Sequence, residues 1–290
     1  MSISVFLKLV EIKTKIASII PFILGTLYSL YHFNNFNSKN LIFMLISLLA
    51  IDMATTAINN YYDYKKANKT HGYNYENHNY IVKNNLKEKT VTTNILILLT
   101  IAISFGIILV LNTNIIILLL GSISFLVGIL YSFGPIPISR TPLGEIFSGL
   151  FMGFLITFIS IYIHIFDQKI LFLLYRNGVL SINLNILEII YIFLFSIPLV
   201  IGISNIMLAN NICDIKDDLE NNRYTLPTYI GKQKSLKLFK ILYYLIYINL
   251  ILLIILKIVP LFYLLTLLTF IPVRKNINLF LEKQSKKETF

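Results

Sequence analysis

Long apolar runs constrain this chain more than any other feature of its sequence. Stretches of about 20 residues with very few charges recur along it, and each is long enough to cross a bilayer core of about 30 Å as a helix. The runs are continuously apolar rather than alternating, which favours helices over a β-barrel. The sequence therefore predicts an all-α, polytopic bundle with eight transmembrane spans. They lie near residues 14–33, 40–60, 92–111, 114–132, 143–165, 186–209, 236–256 and 258–273.

The composition also indicates a membrane protein. The 290 residues have a mean hydropathy of +0.74 and only 13% of them are charged, which is too little polar surface for a soluble protein of this length. No cleavable signal peptide is expected, because the first 15 residues already hold Lys8, Lys13 and Lys15 and no small-residue cleavage site follows the first apolar run. A single cysteine, Cys213, excludes an internal disulfide framework. We expect one transmembrane domain over residues 1–290.

The formal charge of +11 is distributed in the way that membrane topology requires. With a cytoplasmic N-terminus, 21 of the 25 lysines and arginines lie in inner segments, as the positive-inside rule predicts. We therefore interpret the basicity as a sign of orientation and not of nucleic-acid binding. The heavy use of Ile, Asn and Lys suggests an AT-rich bacterial genome, so we expect an integral protein of a bacterial plasma membrane. The outer loops hold only Lys39, Lys169, Arg176 and Lys257.

Two cytoplasmic loops are long and polar, at roughly 61–91 and 210–235, whereas most other connections are short. The first loop is entered through AINNYYDYKKANK and the second through ANNICDIKDDLENNR. Each sequence places two adjacent asparagines at the inner end of a span and an aspartate shortly after them. The outer loop at 166–185 carries little charge, and we assign it no chemistry.

Helical geometry aligns the polar residues of these two loops. Positions four apart lie on one helix face about 6 Å from each other. Asp52 lies seven residues before Asn59, close to the same face and about 10 Å deeper in the bilayer. The two stripes predicted in this way consist of Asn59 and Asp63, and of Asn210, Asp214 and Asp218.

Carboxylate and amide oxygens on two such stripes suit Mg²⁺. This ion typically takes one or two carboxylates, several waters and substrate phosphate oxygens, and Asp214 and Asp218 repel each other unless a cation lies between them. The alternative is that these acids mark a solvated membrane boundary. Two stripes on the same side of the membrane, beside two strongly basic loops, favour a site for magnesium and a diphosphate.

The same segments resemble the motifs of a known family. NNICDIKDDLENNRYTLPTYIG at 210–231 resembles the second Asp-rich motif of the UbiA superfamily of intramembrane prenyltransferases, and NNYYDYKKANK at 59–69 resembles the first. LYSFGPIPISRTPLGEIFSGLFMGF at 130–154 is similar to the corresponding segment of the branch that prenylates 1,4-dihydroxy-2-naphthoate in menaquinone biosynthesis. The resemblance implies Mg²⁺-dependent transfer of a polyprenyl group from an allylic diphosphate to an aromatic acceptor, with 1,4-dihydroxy-2-naphthoate favoured.

The resemblance also implies roles for the matching residues. Asp63, Asp214 and Asp218 are the expected catalytic metal ligands, and Asn59 and Asn210 would complete the metal shell. Asp52 would orient the acceptor or receive its proton, unless it is protonated or hydrogen-bonded between helices; both interpretations stay open. Glu145 is a weaker candidate for the same role. The expected substrate contacts are Asn59, Asn210, Asn211, Lys66, Arg140, Arg223 and Tyr131.

This sequence departs from the family pattern at three points. Ala67 and Lys69 stand where the first motif usually has its second aspartate, and Glu76 is the candidate replacement. Cys213 occupies a position that is often arginine in the dihydroxynaphthoate branch. The family usually has nine spans, and eight are predicted for these residues.

Other functions remain to be compared with this one. The acceptor could instead be 4-hydroxybenzoate, with haem or a chlorophyll precursor less favoured. The incomplete first motif would also suit a diphosphate-binding relative that has lost catalysis. From another class, a secondary transporter of an anionic phosphorylated metabolite would need polar groups through both membrane halves and broken helices at the midplane.

Overall fold

A computed structural model describes residues 2–66, 80–168, 170–286 and 288–289. Within these ranges, eight helical segments are long and apolar enough to cross a membrane, so the predicted number of spans is confirmed. We number them as the first to the eighth span. Their bounds are Ile12–Phe33, Ser38–Lys65, Glu88–Leu111, Ile115–Ser132, Gly144–Ile165, Ile186–Cys213, Lys232–Ile255 and Leu261–Glu282.

The spans consist mostly of α-helix with short 3₁₀ and π segments. The α-helices are Ile3–Leu9, Ile16–Tyr28, Ser38–Lys66, Tyr80–Lys83, Glu88–Leu111, Ile115–Ser132, Gly144–Ser148, Ile156–Ile165, Ile186–Cys213, Ile215–Glu220, Leu226–Ile230, Lys232–Ile255 and Phe270–Glu282. The 3₁₀ segments are Ile12–Lys15, Ile138–Arg140 and Leu261–Thr269, and the π-helical segments are Ser29–Phe33 and Gly149–Leu155.

The break between the last two spans lies where the sequence places it. Lys257 adopts a left-handed backbone conformation with φ of 59°, which ends the seventh span because an α-helix needs a negative φ. Pro260 then precedes the 3₁₀ segment at Leu261–Thr269, in keeping with its fixed φ. The eighth span runs to Glu282, so the predicted end near 273 is too early.

Contacts divide the chain into two compact units. The first comprises residues 1–137 and 159–184 and holds the first four spans. Its core joins the N-terminal helix to the second and third spans through small and branched apolar residues. A hydrogen bond of 2.8 Å from Ser47 Oγ to the Ala102 carbonyl links the second and third spans. Small residues such as Ala54 and Ala57 are fully buried and let these helices approach closely.

The second unit comprises residues 138–158 and 185–290 and carries the second Asp-rich loop. Gly153 lets the fifth span pass very close to the sixth, because a Cβ atom there would lie 2.6 Å from Val200 Cα. A second contact cluster joins the sixth span to the seventh and eighth around Leu208, Phe239 and Phe280. The single-domain expectation stays a prediction for the chain as a whole.

A β-hairpin adds to the predicted all-helical fold. Strands β1 (Leu171–Arg176) and β2 (Val179–Leu184) pair antiparallel between the fifth and sixth spans. Asn177 and Gly178 form the turn, with φ of 50° and 80°, which is the combination that a type I′ turn requires. The Asn-Gly pair between apolar runs is a hairpin signal in the sequence, and the segment at 166–185, predicted only as an outer loop, contains this hairpin.

Candidate active site

The first Asn/Asp stripe lies on one face of the long helix that forms the second span. This helix continues to Lys66, past the apolar part of the span, and places Asn59 one turn before Asp63. Asn59 Nδ2 donates a weak hydrogen bond of 3.5 Å to Asp63 Oδ2. The predicted four-residue spacing of the first motif therefore brings Asn59 and Asp63 into contact. The side chain of Lys66 and the whole of Glu76 lie outside the described residues.

The second stripe keeps its register across a helix end. The sixth span ends at Cys213, and Asp214 has φ of −99° and ψ of 7°, so the helix does not continue unbroken as the sequence suggested. The Asp214 amide nevertheless donates to the Asn210 carbonyl at 3.1 Å, and the Asp218 amide donates to the Asp214 carbonyl at 2.8 Å. These four-residue bonds keep all three side chains one turn apart.

Asp218 is buried within its own loop. Its carboxylate accepts a hydrogen bond of 3.1 Å from Thr225 Oγ1 and lies 3.3 Å from Arg223 Nε. The Arg223 contact lacks hydrogen-bonding geometry, so this nitrogen has no hydrogen-bond acceptor among the described residues. Burial raises the pKa of Asp218 to about 6, and the nearby Asp214 carboxylate adds to this, while Arg223 and Thr225 act in the opposite direction. A buried carboxylate of this kind favours a bound cation in place of a proton.

Asp214 is more exposed and faces an ammonium group. Lys286 Nζ contacts Asp214 Oδ2 in an ion pair. The lysine therefore supplies a positive charge at the carboxylate that the sequence predicts as a metal ligand. Asp217 is exposed, and its side chain takes part in no ion pair among the described residues. The sequence could not indicate Lys286, because it lies 72 residues from its partner.

Glu145 contacts the start of the second motif through Asn211. Asn211 Nδ2 donates a hydrogen bond of 2.8 Å to Glu145 Oε1, and both side chains are buried. Glu145 Oε2 is also buried and has no hydrogen-bond partner in the described part of the chain. Ser204 Oγ donates to the Glu145 carbonyl at 2.8 Å. Asn211 was predicted to contact substrate, but its amide nitrogen is directed at Glu145.

The segment before Glu145 contacts the other end of the same motif. The Tyr224 amide donates a hydrogen bond of 3.0 Å to the carbonyl of Arg140. Residues 140–145 therefore bind the second motif at its start through Asn211 and near its end through Tyr224. The half-buried Arg140 is placed beside the motif by its backbone.

Asp52 has partners on both carboxylate oxygens within the first unit. Lys15 Nζ donates a hydrogen bond of 2.6 Å to Oδ1, and Ser18 Oγ donates one of 2.5 Å to Oδ2. Lys15 Nζ also donates to Thr56 Oγ1 at 2.6 Å. This arrangement favours the interpretation of Asp52 as an acid bonded between helices. The sequence alone indicates Lys15 only as one of the charges that set the membrane orientation.

The remaining candidates have simpler surroundings. Tyr131 lies at the end of the fourth span and is half-buried. The Asn210 side chain is half-buried and makes no hydrogen bond to the described residues, which leaves its amide oxygen for another ligand. No group of three or more His, Cys, Asp or Glu side chains that could hold a metal ion occurs in the described ranges.

The comparisons with known proteins agree with this fold. The sequence pattern described as the UbiA prenyltransferase family matches residues 18–289. The chain belongs to the UbiA prenyltransferase family, and its eight apolar helices make it an integral membrane protein. It is 31% identical over 225 residues to the 1,4-dihydroxy-2-naphthoate octaprenyltransferase of Bacillus subtilis (strain 168). That match covers 78% of this chain and 65% of the relative's length.

Solved structures show the same fold. The apo structure of a UbiA homolog from Aeropyrum pernix K1 has a TM-score of 0.69 at 16% identity, covering 95% of this chain and 91% of that one. A UbiA homolog from Archaeoglobus fulgidus bound to DMAPP and Mg²⁺ has a TM-score of 0.66 at 12% identity, covering 97% and 88%. At these identities the likeness establishes the fold alone. The predicted family is confirmed by the sequence match over residues 18–289.

Proposed function

We propose that the protein is an enzyme that transfers a polyprenyl group from an allylic diphosphate to an aromatic acceptor. The observation that carries this proposal is the second motif, in which two carboxylates one turn apart are each faced by a cationic side chain. Arg223 accompanies Asp218 and Lys286 accompanies Asp214. Acids that need cations and cations that can bind phosphate oxygens thus meet at the second motif, with Lys286 coming from the segment after the eighth span.

The residues present fit Mg²⁺ as the cofactor. Asp214 and Asp218 offer carboxylate oxygens, Asn210 offers an amide oxygen, and the ammonium of Lys286 already stands as a cation at Asp214. In the first motif, Asp63 and Asn59 offer the same two ligand types. Bound Mg²⁺ would neutralise the negative charge that develops on the departing diphosphate. The structure of the Archaeoglobus fulgidus relative with DMAPP and Mg²⁺ supports this assignment.

The protein side chains would bind and orient the diphosphate. Arg223 is the strongest candidate, because its Nε–H group is buried without a hydrogen-bond acceptor and its guanidinium can bind phosphate oxygens in a bidentate way. Lys286 would exchange its contact with Asp214 for one with the diphosphate when a metal ion binds that carboxylate. As the C–O bond of the substrate breaks, both cations would favour the charge that moves onto the leaving oxygen.

The acceptor that we favour is 1,4-dihydroxy-2-naphthoate. The relative from Bacillus subtilis carries that acceptor in its name, and the segment at 130–154 resembles the same branch. We place the protein in a bacterial plasma membrane with its N-terminus and Asp-rich loops in the cytoplasm, as the distribution of lysine and arginine indicates. The lipid bilayer and the two substrates are its expected partners.

The transporter alternative receives less support from the contacts of the first unit. At the ends of the spans away from the first Asp-rich loop, polar groups of this unit form hydrogen bonds within the unit. Asn40 Nδ2 donates to the Ile163 carbonyl at 2.9 Å, and the Asn37 amide donates to His164 Nδ1 at 2.9 Å. Thr26 Oγ1 donates to the Phe22 carbonyl at 3.0 Å. The two asparagine contacts connect different elements and the threonine contact stays within the first span, and these three contacts need no transported substrate.

A transfer assay in reconstituted membranes tests the proposal. The purified chain is given Mg²⁺, a radiolabelled polyprenyl diphosphate and a panel of acceptors that includes 1,4-dihydroxy-2-naphthoate and 4-hydroxybenzoate. We expect labelled prenylated product with one acceptor and none after chelation of Mg²⁺. Asp214→Asn should lower turnover by about 100-fold or more, the range seen when electrostatic support of a leaving charge is removed.

The matched control is Asp217→Asn, which removes a carboxylate of the same loop that is exposed. It should keep near-normal turnover. Equal losses in the two variants would assign the effect to loop charge and not to a metal ligand. If the protein still binds the diphosphate but forms no product with any acceptor, the proposed transfer activity is wrong and diphosphate binding is the function that remains.

A further inference from the structure

The β-hairpin has one entirely apolar face. Side chains alternate between the two faces of a strand, and directly paired residues share a face. The register pairs Tyr175 with Leu180 and Leu173 with Ile182. We define the apolar hairpin face as Leu171, Leu173, Tyr175, Leu180, Ile182 and Leu184. The opposite face carries the polar residues Arg176, Ser181 and Asn183 among its six.

The apolar hairpin face is open on the outer part of the hairpin. Tyr175 is 73% exposed, Leu180 is 61% exposed and Ile182 is 62% exposed. Contiguous apolar surface of this kind is unusual on a protein that faces water. A hairpin of two strands is also only marginally stable by itself in water. The hairpin therefore needs an apolar surface that the described residues of its own unit do not supply.

Its root is fixed at the level of the membrane boundary. The Tyr162 hydroxyl donates a hydrogen bond of 2.8 Å to the Leu171 carbonyl, and it accepts one of 2.8 Å from Asn114 Nδ2. Tyr162 lies three residues before the end of the fifth span at Ile165, which is about 4.5 Å of helix rise. Asn114 is the N-cap of the helix that forms the fourth span. β1 thus begins at the ends of two spans and not beyond them.

From these observations we infer that the apolar hairpin face binds the lipid bilayer at the boundary between headgroups and acyl chains. The fourth span also exposes an apolar side chain at this end, since Ile115, next to Asn114, is 50% exposed. An exposed apolar hairpin face beside the exposed apolar end of a span favours lipid over a second copy of the chain. The open strand edges keep it out of the hydrocarbon core, where unpaired backbone groups are too costly. Tyr175 and Arg176 at the tip are residue types that suit the interface.

The hairpin lies on the membrane side opposite the first Asp-rich loop. It follows the fifth span, whereas that loop follows the second, and successive spans alternate in direction. The inference rests on the membrane-spanning fold alone and does not depend on the proposed prenyl transfer.

A single-tryptophan experiment tests this contact, because the chain contains no tryptophan. The full chain with Tyr175→Trp is reconstituted in phosphatidylcholine vesicles whose acyl chains are brominated either near the headgroup or near the terminal methyl. We expect emission shifted to shorter wavelength, strong loss of intensity with bromine near the headgroup, and little loss with aqueous iodide. Leu180→Trp, on the same face, should behave alike and serves as the second variant.

The matched control is Ser181→Trp on the polar face of the same hairpin. It should lose more intensity with iodide and less with brominated lipid than Tyr175→Trp. Equal iodide quenching of the two variants, without bromine quenching, would overturn the inference in favour of a hairpin in water. Protection of Tyr175→Trp from both quenchers would also overturn it, because a second copy of the chain would then cover the face.

Discussion

Asn211 donates a 2.8 Å hydrogen bond to the carboxylate of Glu145 and thereby ties the start of the fifth span to the end of the sixth. Both side chains are buried, and Asn211 is three residues before Asp214. The pair therefore fixes the point from which the second Asp-rich motif begins. A residue that acts in this way would position the proposed metal ligands Asp214 and Asp218.

Removing Glu145 should destabilise the protein. Glu145→Ala leaves the Asn211 amide buried without its acceptor, which costs about 1–3 kcal/mol. Glu145→Gln keeps an acceptor oxygen and should retain most of that stability. Thermal unfolding in detergent measures both effects. If Glu145→Gln unfolds normally but loses transfer activity, the carboxylate has a chemical role in addition to its positioning role.

Substitution of Asn211 tests the same contact from its other side, by comparing Asn211→Asp with Asn211→Gln. Asn211→Asp places two buried carboxylates at hydrogen-bond distance, so its unfolding midpoint should fall with rising pH. Asn211→Gln retains the donor and should be less affected. An unchanged midpoint for Asn211→Asp at neutral pH would contradict the buried contact.

Asp218 of the second motif should make cation binding depend on pH. Burial holds the pKa of Asp218 at about 6, above its usual value of 3.8, so the site takes up a proton as the pH falls through 6. Protonated Asp218 cannot bind Mg²⁺, and Mg²⁺ affinity should fall by roughly tenfold per pH unit below that point. Isothermal titration with Mg²⁺ and a non-hydrolysable diphosphate between pH 5 and pH 8, a range on the order of one or two units either side of the pKa, measures it.

The stability of the metal-free protein should change in the opposite sense. Because the folded-state pKa is raised, the folded state binds more protons than the unfolded state between 3.8 and about 6. Stability is therefore greatest below this window and is lost as the pH rises through it, by at most about 3 kcal/mol. Asp218→Asn should abolish the dependence, and Asp217→Asn should retain it.

The Lys15–Asp52 pair should be costly to break from one side only. Lys15→Met or Asp52→Leu leaves a buried charge without its partner, at about 3–5 kcal/mol. The double variant should recover much of that loss, because Ser18 Oγ can still donate to the Lys15 carbonyl and Thr56 Oγ1 to the Asp52 carbonyl. A double-mutant cycle of unfolding free energies measures the coupling.

Transfer activity of the same double variant decides between the two interpretations of Asp52. A folded double variant with normal turnover assigns Asp52 to helix packing. A folded double variant without turnover, but with intact diphosphate binding, assigns it to the acceptor.

Local rules predict much of this fold, and long-range contacts account for what they miss. The eight spans follow from the length of the apolar runs, and the spacing of Asn210, Asp214 and Asp218 follows from helical geometry. The partners of these acids do not follow in the same way. Lys15 lies 37 residues from Asp52, and only packing of the helices brings them together. The hairpin had a local signal in Asn177 and Gly178, which the apolar content of its strands obscured.

The crossing of the fifth and sixth spans gives a final prediction. A Cβ atom on Gly153 would lie 2.6 Å from both Cα and N of Val200, and backbone atoms cannot move aside as a flexible side chain can. Gly153→Ala should therefore separate the two spans and lower the unfolding free energy by about 1–3 kcal/mol. Because the same two spans carry Glu145 and Asn211, Mg²⁺-dependent diphosphate binding should weaken as well.

Gly202→Ala is the matched control, since it makes the same change in the sixth span where no atom lies within 4 Å of the added Cβ. Alanine forms helix better than glycine by up to about 1 kcal/mol, so this variant should be neutral or slightly more stable. Unfolding midpoints of the two variants in the same detergent, together with their diphosphate affinities, give the comparison. If Gly153→Ala matches Gly202→Ala in both measurements, the close crossing does not hold the second motif in place.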